Sequence, residues 1–309
     1  MRYRILSILL LLAAILVIPN LRSLYEGIFF YLRDVTAYSP TPARPIAPNG
    51  RYASLYELAR LRNADRMRYL DAQLARLNLN LVRIPIPQSP FSNFFVYQDA
   101  SAPITIFSAH YDKLYDDAHY QGASDNTAAV SVLLAAVGDL ARRGEMNNRA
   151  VLFTSEEERG LFGASAFVEY ARVNNLRINA IINFDNLGRG KLAIRPAAEI
   201  PGFVFWLPLF GDITFDGAAL RASAATPPPD ARLVANILRA HPGIVVYERF
   251  TARGDANIFQ ANKIPTVAIS GDDMFYLQQT WHTPADRVEL LDEKNLDLAY
   301  ELVMGFGAK

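Results

Sequence analysis

The 309-residue chain has no cysteine, which removes disulfide frameworks, thiolate nucleophiles and thiolate metal sites in one step. Histidine is scarce. Only His110, His119, His241 and His282 occur, so any metal must be held by these few imidazoles and by carboxylates. An excess of charge of either sign is also missing: Lys+Arg and Asp+Glu each number 31, no basic run stands out, and no nucleic-acid partner is expected. No internal repeat appears. What the chain does have is apolar residues, 51% of the total, enough to bury one large core and to set disorder aside.

A long hydrophobic run occurs once, at the start. Arg2 and Arg4 precede Ile5 to Ile18, in which only Ser7 is polar, a pattern of a secretory signal or a short anchor. No small-x-small pair follows the run, and apolar residues continue at Leu21, Leu24 and Ile28 to Leu32, so an uncleaved membrane anchor over 1–25 is favoured over a removed signal. Either way the remainder is expected outside the cytoplasm. Residues 26–50 read as a linker, because Asp34 to Gly50 carries four prolines and no apolar period. The folded domain is expected over 51–309. Within it 193–251 is a variable segment whose apolar stretch Gly202 to Phe210 suits a buried crossover, a lid or a membrane-touching surface.

Inside that domain, short apolar segments alternate with helical patterns. Tyr52 to Leu77 is helical by spacing, with a Leu and Met stripe that reads as core. Leu79 to Pro85, Asn93 to Gln98, Ile104 to Ala109, Ala150 to Thr154, Ala180 to Phe184, Ile244 to Tyr247 and Ile264 to Ser270 read as strands. Helices are expected over Asn126 to Arg143, from Gly163, over Ala231 to Ala240 and from about Asp292, with Ser124 and Asp125 of residue types that cap helix starts. This order implies an α/β fold, a three-layer α/β/α arrangement with helices on both faces of a mixed, mostly parallel sheet.

The chemistry gathers where strands end. His110 lies just past one strand, three acids (Glu156, Glu157, Glu158) follow the next, Asp185 follows a third, and Asp125 and His282 stand in loops between elements. Three consecutive acids repel one another unless solvent or a cation screens them. The run is a solvated loop or a ligand source. Two imidazoles and several carboxylates suit zinc, and five donors are more than one catalytic ion needs, whereas two ions sharing a carboxylate would use them all.

The motifs HYD (His110 to Asp112), GASDNTAAV (Gly122 to Val130), EERGLFGAS (Glu157 to Ser165), NFDNLG (Asn183 to Gly188) and WHTPAD (Trp281 to Asp286) resemble, in order, those of the co-catalytic zinc exopeptidases of peptidase clan MH. That family includes secreted and vacuolar aminopeptidases, glutamate carboxypeptidase and glutaminyl cyclase. The resemblance covers roughly Arg62 to Phe306 and is weak over Ala193 to Thr251. It implies a phosphorylase/hydrolase-like zinc exopeptidase fold and two zinc ions, one on His110 and Asp185, one on Glu158 and His282, with Asp125 bridging and Glu157 as general base. The family spacing before Gly160-Leu161 fits Glu157-Glu158; the other register moves the base to Glu156 and the ligand to Glu157. Asp112 is expected to orient His110, and Asp286 either to orient His282 or to cap a turn. Asp255 stands where the family writes Ser-Asp-His, but Gly254 and Ala256 flank it here, leaving its role in doubt. His119 is expected on a loop surface and His241 at a helix end. Tyr276 and Trp281 are wall or core residues.

The resemblance implies an aminopeptidase acting on peptides. Trp281 before His282 resembles the cyclase form, and Gly160 to Ser165 the peptidase form. A non-catalytic module of the same fold is the third reading, and the full ligand set argues against it.

Overall fold

Side-chain alternation along three central strands decides the architecture. In β3 (Ile104–His110), β4 (Arg149–Thr154) and β5 (Ile178–Phe184), the residues Phe107, Ala109, Val151, Phe153, Ala180, Ile182 and Phe184 face one apolar core. Ile104, Ile106, Ala150, Leu152 and Ile181 face a second. Strands buried on both faces read as unbroken apolar runs, so these three were recognisable without a polar alternate. A layer of helices is needed on each side.

The computed structural model describes residues 44–195, 204–207, 211–214, 229–246, 254–273, 276–277 and 280–306. The anchor or signal expected over 1–25, most of the linker 26–50 and much of 193–251 lie outside the described residues. Among the described residues no helix is long and apolar enough to cross a membrane.

The sheet has eight strands in the order β1 (Asn80–Pro85), β2 (Ser92–Tyr97), β4, β3, β5, β10 (Thr266–Gly271), β6 (Leu192–Arg195) and β9 (Val245–Val246). Its centre, β4-β3-β5-β10, is parallel throughout, and the antiparallel pairings β1-β2, β2-β4 and β10-β6 flank it. A separate hairpin joins β7 (Val204–Leu207) to β8 (Gly211–Thr214). The fold is thus mixed α/β with a mostly parallel sheet. The first core is closed by α1 (Ser54–Arg60), α2 (Asn63–Leu74), α3 (Ala128–Arg143), α5 (Ala231–Ala240) and α7 (Glu293–Gly305), the second by α4 (Phe162–Val173) and α6 (Asp255–Ala261). Each fully buried Leu, Ile or Phe side chain contributes about 1.5–3 kcal/mol, so Leu133, Val137 and Leu140 anchor α3 firmly.

Two local expectations are corrected. Tyr52 to Leu77 is not one helix: Leu61 and Arg62 are extended, and α2 starts afresh at Asn63, whose N–H donates to the Asp116 carboxylate at 2.7 Å. A tertiary hydrogen bond there outweighs the local helical pattern. Nor do Ser124 and Asp125 cap α3. They belong to an irregular turn, Ala123–Thr127, and the regular helix begins at Ala128. At the other end Gly144, at φ 65°, closes α3 in the left-handed conformation that glycine adopts without penalty.

Candidate metal centre

Four adjacent parallel strands end at one edge of the sheet, and ligands of open α/β folds collect beyond such carboxyl ends. His110 is the last residue of β3, Glu156 to Glu158 follow β4, Asp185 follows β5, and His282 lies in the chain beyond β10. Glu156, Asn186 and His282 all take a left-handed backbone, at φ 58°, 58° and 57°. Non-glycine residues hold that conformation only where their surroundings impose it.

Asp125 stands between the two imidazoles. Its Oδ1 is 3.1 Å from His110 Nε2, and its Oδ2 is 3.3 Å from His282 Nε2. Asp185 Oδ1 approaches His110 Nε2 at 3.6 Å, and Glu158 Oε2 approaches His282 Nε2 at 3.3 Å. Two donor groups result, His110-Asp125-Asp185 and Asp125-Glu158-His282, with the ligand atoms of each within 4.8 Å of one another. All five residues singled out as metal ligands are brought together.

The neighbouring acids have distinct tasks. Asp112 lies 3.5 Å from His110 Nδ1 and accepts the backbone N–H groups of Glu157 (3.3 Å) and Glu158 (3.2 Å), so one carboxylate braces an imidazole and the acidic loop. Glu156 turns away, accepting from the Ser89 hydroxyl at 2.5 Å and lying 3.6 Å from Arg159. Glu157 stays at the cluster: a Cβ added at Gly254 would sit 3.1 Å from Asp185 Oδ2 and 3.6 Å from Glu157 Oε1. A side chain there would crowd the Asp185 carboxylate, and glycine lets the backbone lie close to both acids.

Of the two readings of Asp286, the turn cap is the one the structure shows. Asp286 does not touch His282 but accepts the N–H groups of Ser124 (2.8 Å) and Asp125 (3.1 Å), with the Tyr276 hydroxyl on the same carboxylate at 3.2 Å. Bonds from backbone N–H to a carboxylate are worth about 1.5–3 kcal/mol each, and here they fix the turn that carries Asp125. Trp281 lies over His282 with the rings tilted by 31° and their centroids 4.1 Å apart, and donates its indole N–H to Asp125 Oδ2 at 2.7 Å. Asp255, left in doubt by its flanking residues, is buried with Oδ2 bonded to Thr154 and Oδ1 without a partner. His119 is exposed on the loop between His110 and Asp125, and His241 ends α5.

Electrostatics follow from this crowding. Burial, with the carboxylates of Asp185, Asp255 and Glu158 adding to it and His110 opposing, holds Glu157 well above the ordinary carboxyl range. Burial and Asp125 raise Glu158 to about 7. Asp255, raised chiefly by burial, also reaches about 7. Desolvation works against a charged His282, yet Asp125 and Glu158 outweigh it and raise the imidazole to about 10. His110 moves the same way: burial opposes its charge, and Glu157, Asp112, Asp125 and Asp185 overcome it. Without a metal, protons are what hold these groups together.

The donor set fits a divalent ion. Its atoms are imidazole nitrogen and carboxylate oxygen, the set that zinc accepts where no thiolate is available. Among the described residues no lysine or arginine pairs with Asp125, Glu157, Glu158 or Asp185. Glu158 Oε1 is buried with no hydrogen-bond partner, which costs free energy unless a cation or donor meets it.

Comparison with known proteins agrees with this chemistry. A family model described as peptidase family M28 matches residues 96–306. No curated protein gives a significant match. Among solved structures, the LapA aminopeptidase of Legionella pneumophila is 15% identical, with a TM-score of 0.63 over 89% of this chain and 78% of that one. A Zn-dependent exopeptidase from Parabacteroides distasonis is 15% identical, with a TM-score of 0.60 over 85% and 98%. The glutaminyl cyclase of Tannerella forsythia is 15% identical, with a TM-score of 0.58 over 86% and 100%. At these identities the likeness is one of fold.

Proposed function

The chain belongs to peptidase family M28, and from that premise we propose that this metal-dependent hydrolase is a zinc exopeptidase releasing residues from the amino terminus of peptides. In this reading His110 and Asp185 would hold one zinc ion and Glu158 and His282 a second, with Asp125 available to both. The observation that carries it is Asp125 itself, each of whose oxygens faces a different imidazole, at 3.1 and 3.3 Å. Ions bound there would supply Lewis acidity and lower the pKa of a water from about 15.7 to about 7.

The chain's own residues carry the rest. Glu157, half-buried and with its proton affinity raised, is matched to accept a proton from the attacking water and return it to the leaving nitrogen. Asp112 keeps that carboxylate aimed by holding the backbone of Glu157 and Glu158. The N-terminal run Ile5 to Ile18 behind Arg2 and Arg4 supports a catalytic domain that is exported, anchored or secreted.

Trp281 favours a second reading. Trp281 directly before His282 resembles the cyclase form in sequence, and here its indole lies over His282 and donates to Asp125, so glutaminyl-peptide cyclotransfer is the alternative. Purified protein should be incubated with a peptide library, a Gln-initiated peptide and an aminoacyl reporter, with and without chelator. Trimming from the amino end that stops on chelation is expected. Cyclised Gln without trimming would replace the peptidase reading with the cyclase, and activity indifferent to chelator would remove both.

A further inference from the structure

Arg66 stands in α2, ahead of the family-matched stretch, and is only 1% exposed. A guanidinium taken so far from water normally rests on a carboxylate, since a buried unpaired charge is costly. Among the described residues Arg66 has no such contact. Its Nε donates to Leu58 O at 3.0 Å, Nη1 to Tyr111 O at 2.8 Å, and Nη2 to Gln121 O at 3.2 Å and to the Thr127 hydroxyl.

The acceptors are the informative part. Tyr111 is the single residue between His110 and Asp112, while Gln121 and Thr127 bracket the turn that carries Asp125. Thr127 also donates its hydroxyl to Gly122 O at 2.6 Å, so the two feet of that turn are tied together under the guanidinium. One rigid plane therefore spans the end of β3 and the turn, the two places whose separation sets the distance from His110 to Asp125. Asn63, one turn earlier, adds a reciprocal pair with Lys113: Lys113 N donates to Asn63 Oδ1 at 2.9 Å, and Asn63 Nδ2 donates to Lys113 O at 3.0 Å. Burial lowers Arg66 to about 9, and the carboxylates opposing that fall include Asp112 and Asp286, the two acids that brace the centre.

We propose that Arg66 is a positioning residue for the metal centre: through Tyr111, Gln121 and Thr127 it fixes the spacing of His110 and Asp125, and its charge offsets the surrounding acids. The inference rests on the reading that these donors bind zinc. Lysine at this place keeps the charge but cannot spread donors in a plane over three acceptors, and methionine keeps neither.

The test uses full-length wild type, Arg66→Lys, Arg66→Met and a control, Leu302→Ala, a truncation in the buried core of α7. Each is stripped with chelator, titrated with zinc alone, and assayed for kcat and KM after loading. Arg66→Met should bind zinc about 10–100-fold more weakly, the range for losing an outer support of a metal ligand, with Arg66→Lys in between. In both, kcat should fall while KM holds. Leu302→Ala should melt earlier yet bind zinc as wild type does. Should Arg66→Met fail to fold, Arg66→Lys carries the test alone. Wild-type zinc affinity and kcat in Arg66→Lys would overturn the proposal, and so would equal weakening by Leu302→Ala. A wild type that binds no zinc would remove the underlying reading, an outcome distinct from an unaffected Arg66→Lys beside a zinc-binding wild type.

Discussion

The two halves of the centre are built differently. His110 ends a strand that has a parallel neighbour on each side, is 3% exposed, and has Nδ1 held 3.2 Å from the Asp112 carbonyl oxygen. His282 sits in a loop with a left-handed backbone and a side chain 31% exposed, its ring covered by Trp281. One half inherits its geometry from the sheet. The other depends on contacts among loops, and Asp125 is the one group that belongs to both. A site assembled in this way is stiff on one side and adjustable on the other, and substitutions should divide along the same line.

The largest effect is expected from removing what the halves share. Asp125→Ala should abolish zinc uptake at both donor groups and bring turnover to background, as read by metal analysis beside the peptidase assay. If this variant keeps one full zinc equivalent, the halves are independent rather than joined. Next comes Glu157→Gln, which leaves both donor groups intact. It should bind zinc like wild type and lose about 10²–10⁴ in kcat, the usual share of a general base. Retained activity would transfer the base to Glu156, although that side chain now turns toward Ser89 and Arg159.

The same division explains what could be read from the sequence. Strand ends, apolar runs and the order of His110, Asp125, Glu158, Asp185 and His282 were legible because each is a local pattern or a short motif. Of the braces, Asp112 was legible from its place two residues beyond His110, and the others were not. Arg66 looks like one more polar residue on an amphipathic helix, yet it is wholly buried, because backbone carbonyls of distant loops impose no pattern on the side chain that will meet them. Asp286 was legible as an orienting or capping acid but not in its target, since only the fold brings residue 286 to the N–H groups of residues 124 and 125. Asp255 was obscured by its departure from the family's neighbours, and its burial against Thr154 appears only when α6 is set beside β4. The break at Leu61 and Arg62 has no proline or glycine to announce it.

A smaller contrast concerns stability without metal. His110→Ala should cost the chelated protein about 3–5 kcal/mol, because buried acids are left without their partner. His282→Ala, on a partly exposed loop, should cost about 1 kcal/mol or less. Denaturant melts of the two stripped variants measure the difference. Equal costs would mean that the sheet confers no extra rigidity on the His110 half.

The mildest test is pH. In the metal-free protein Glu158 and Asp255 are raised to about 7 and Asp286 to about 6, against about 4 in an unfolded chain. Between pH 4 and 7 the folded state thus keeps protons that the unfolded state has released, so stability falls as pH rises through that window. His282 slopes the same way: raised to about 10 from 6.5, it contributes fully below pH 6.5 and loses that contribution as pH climbs toward 10. Zinc on Glu158 and His282 would displace the protons of those two groups alone, so the loaded protein should show a shallower slope. Chelated protein should therefore melt progressively earlier from pH 5 to 8, by about 2–4 °C for each 1 kcal/mol lost, while the zinc form falls less over the same range. A chelated protein that grows more stable over that range would mean that the acids are held apart by solvent, and that the loop half opens once its cation is gone.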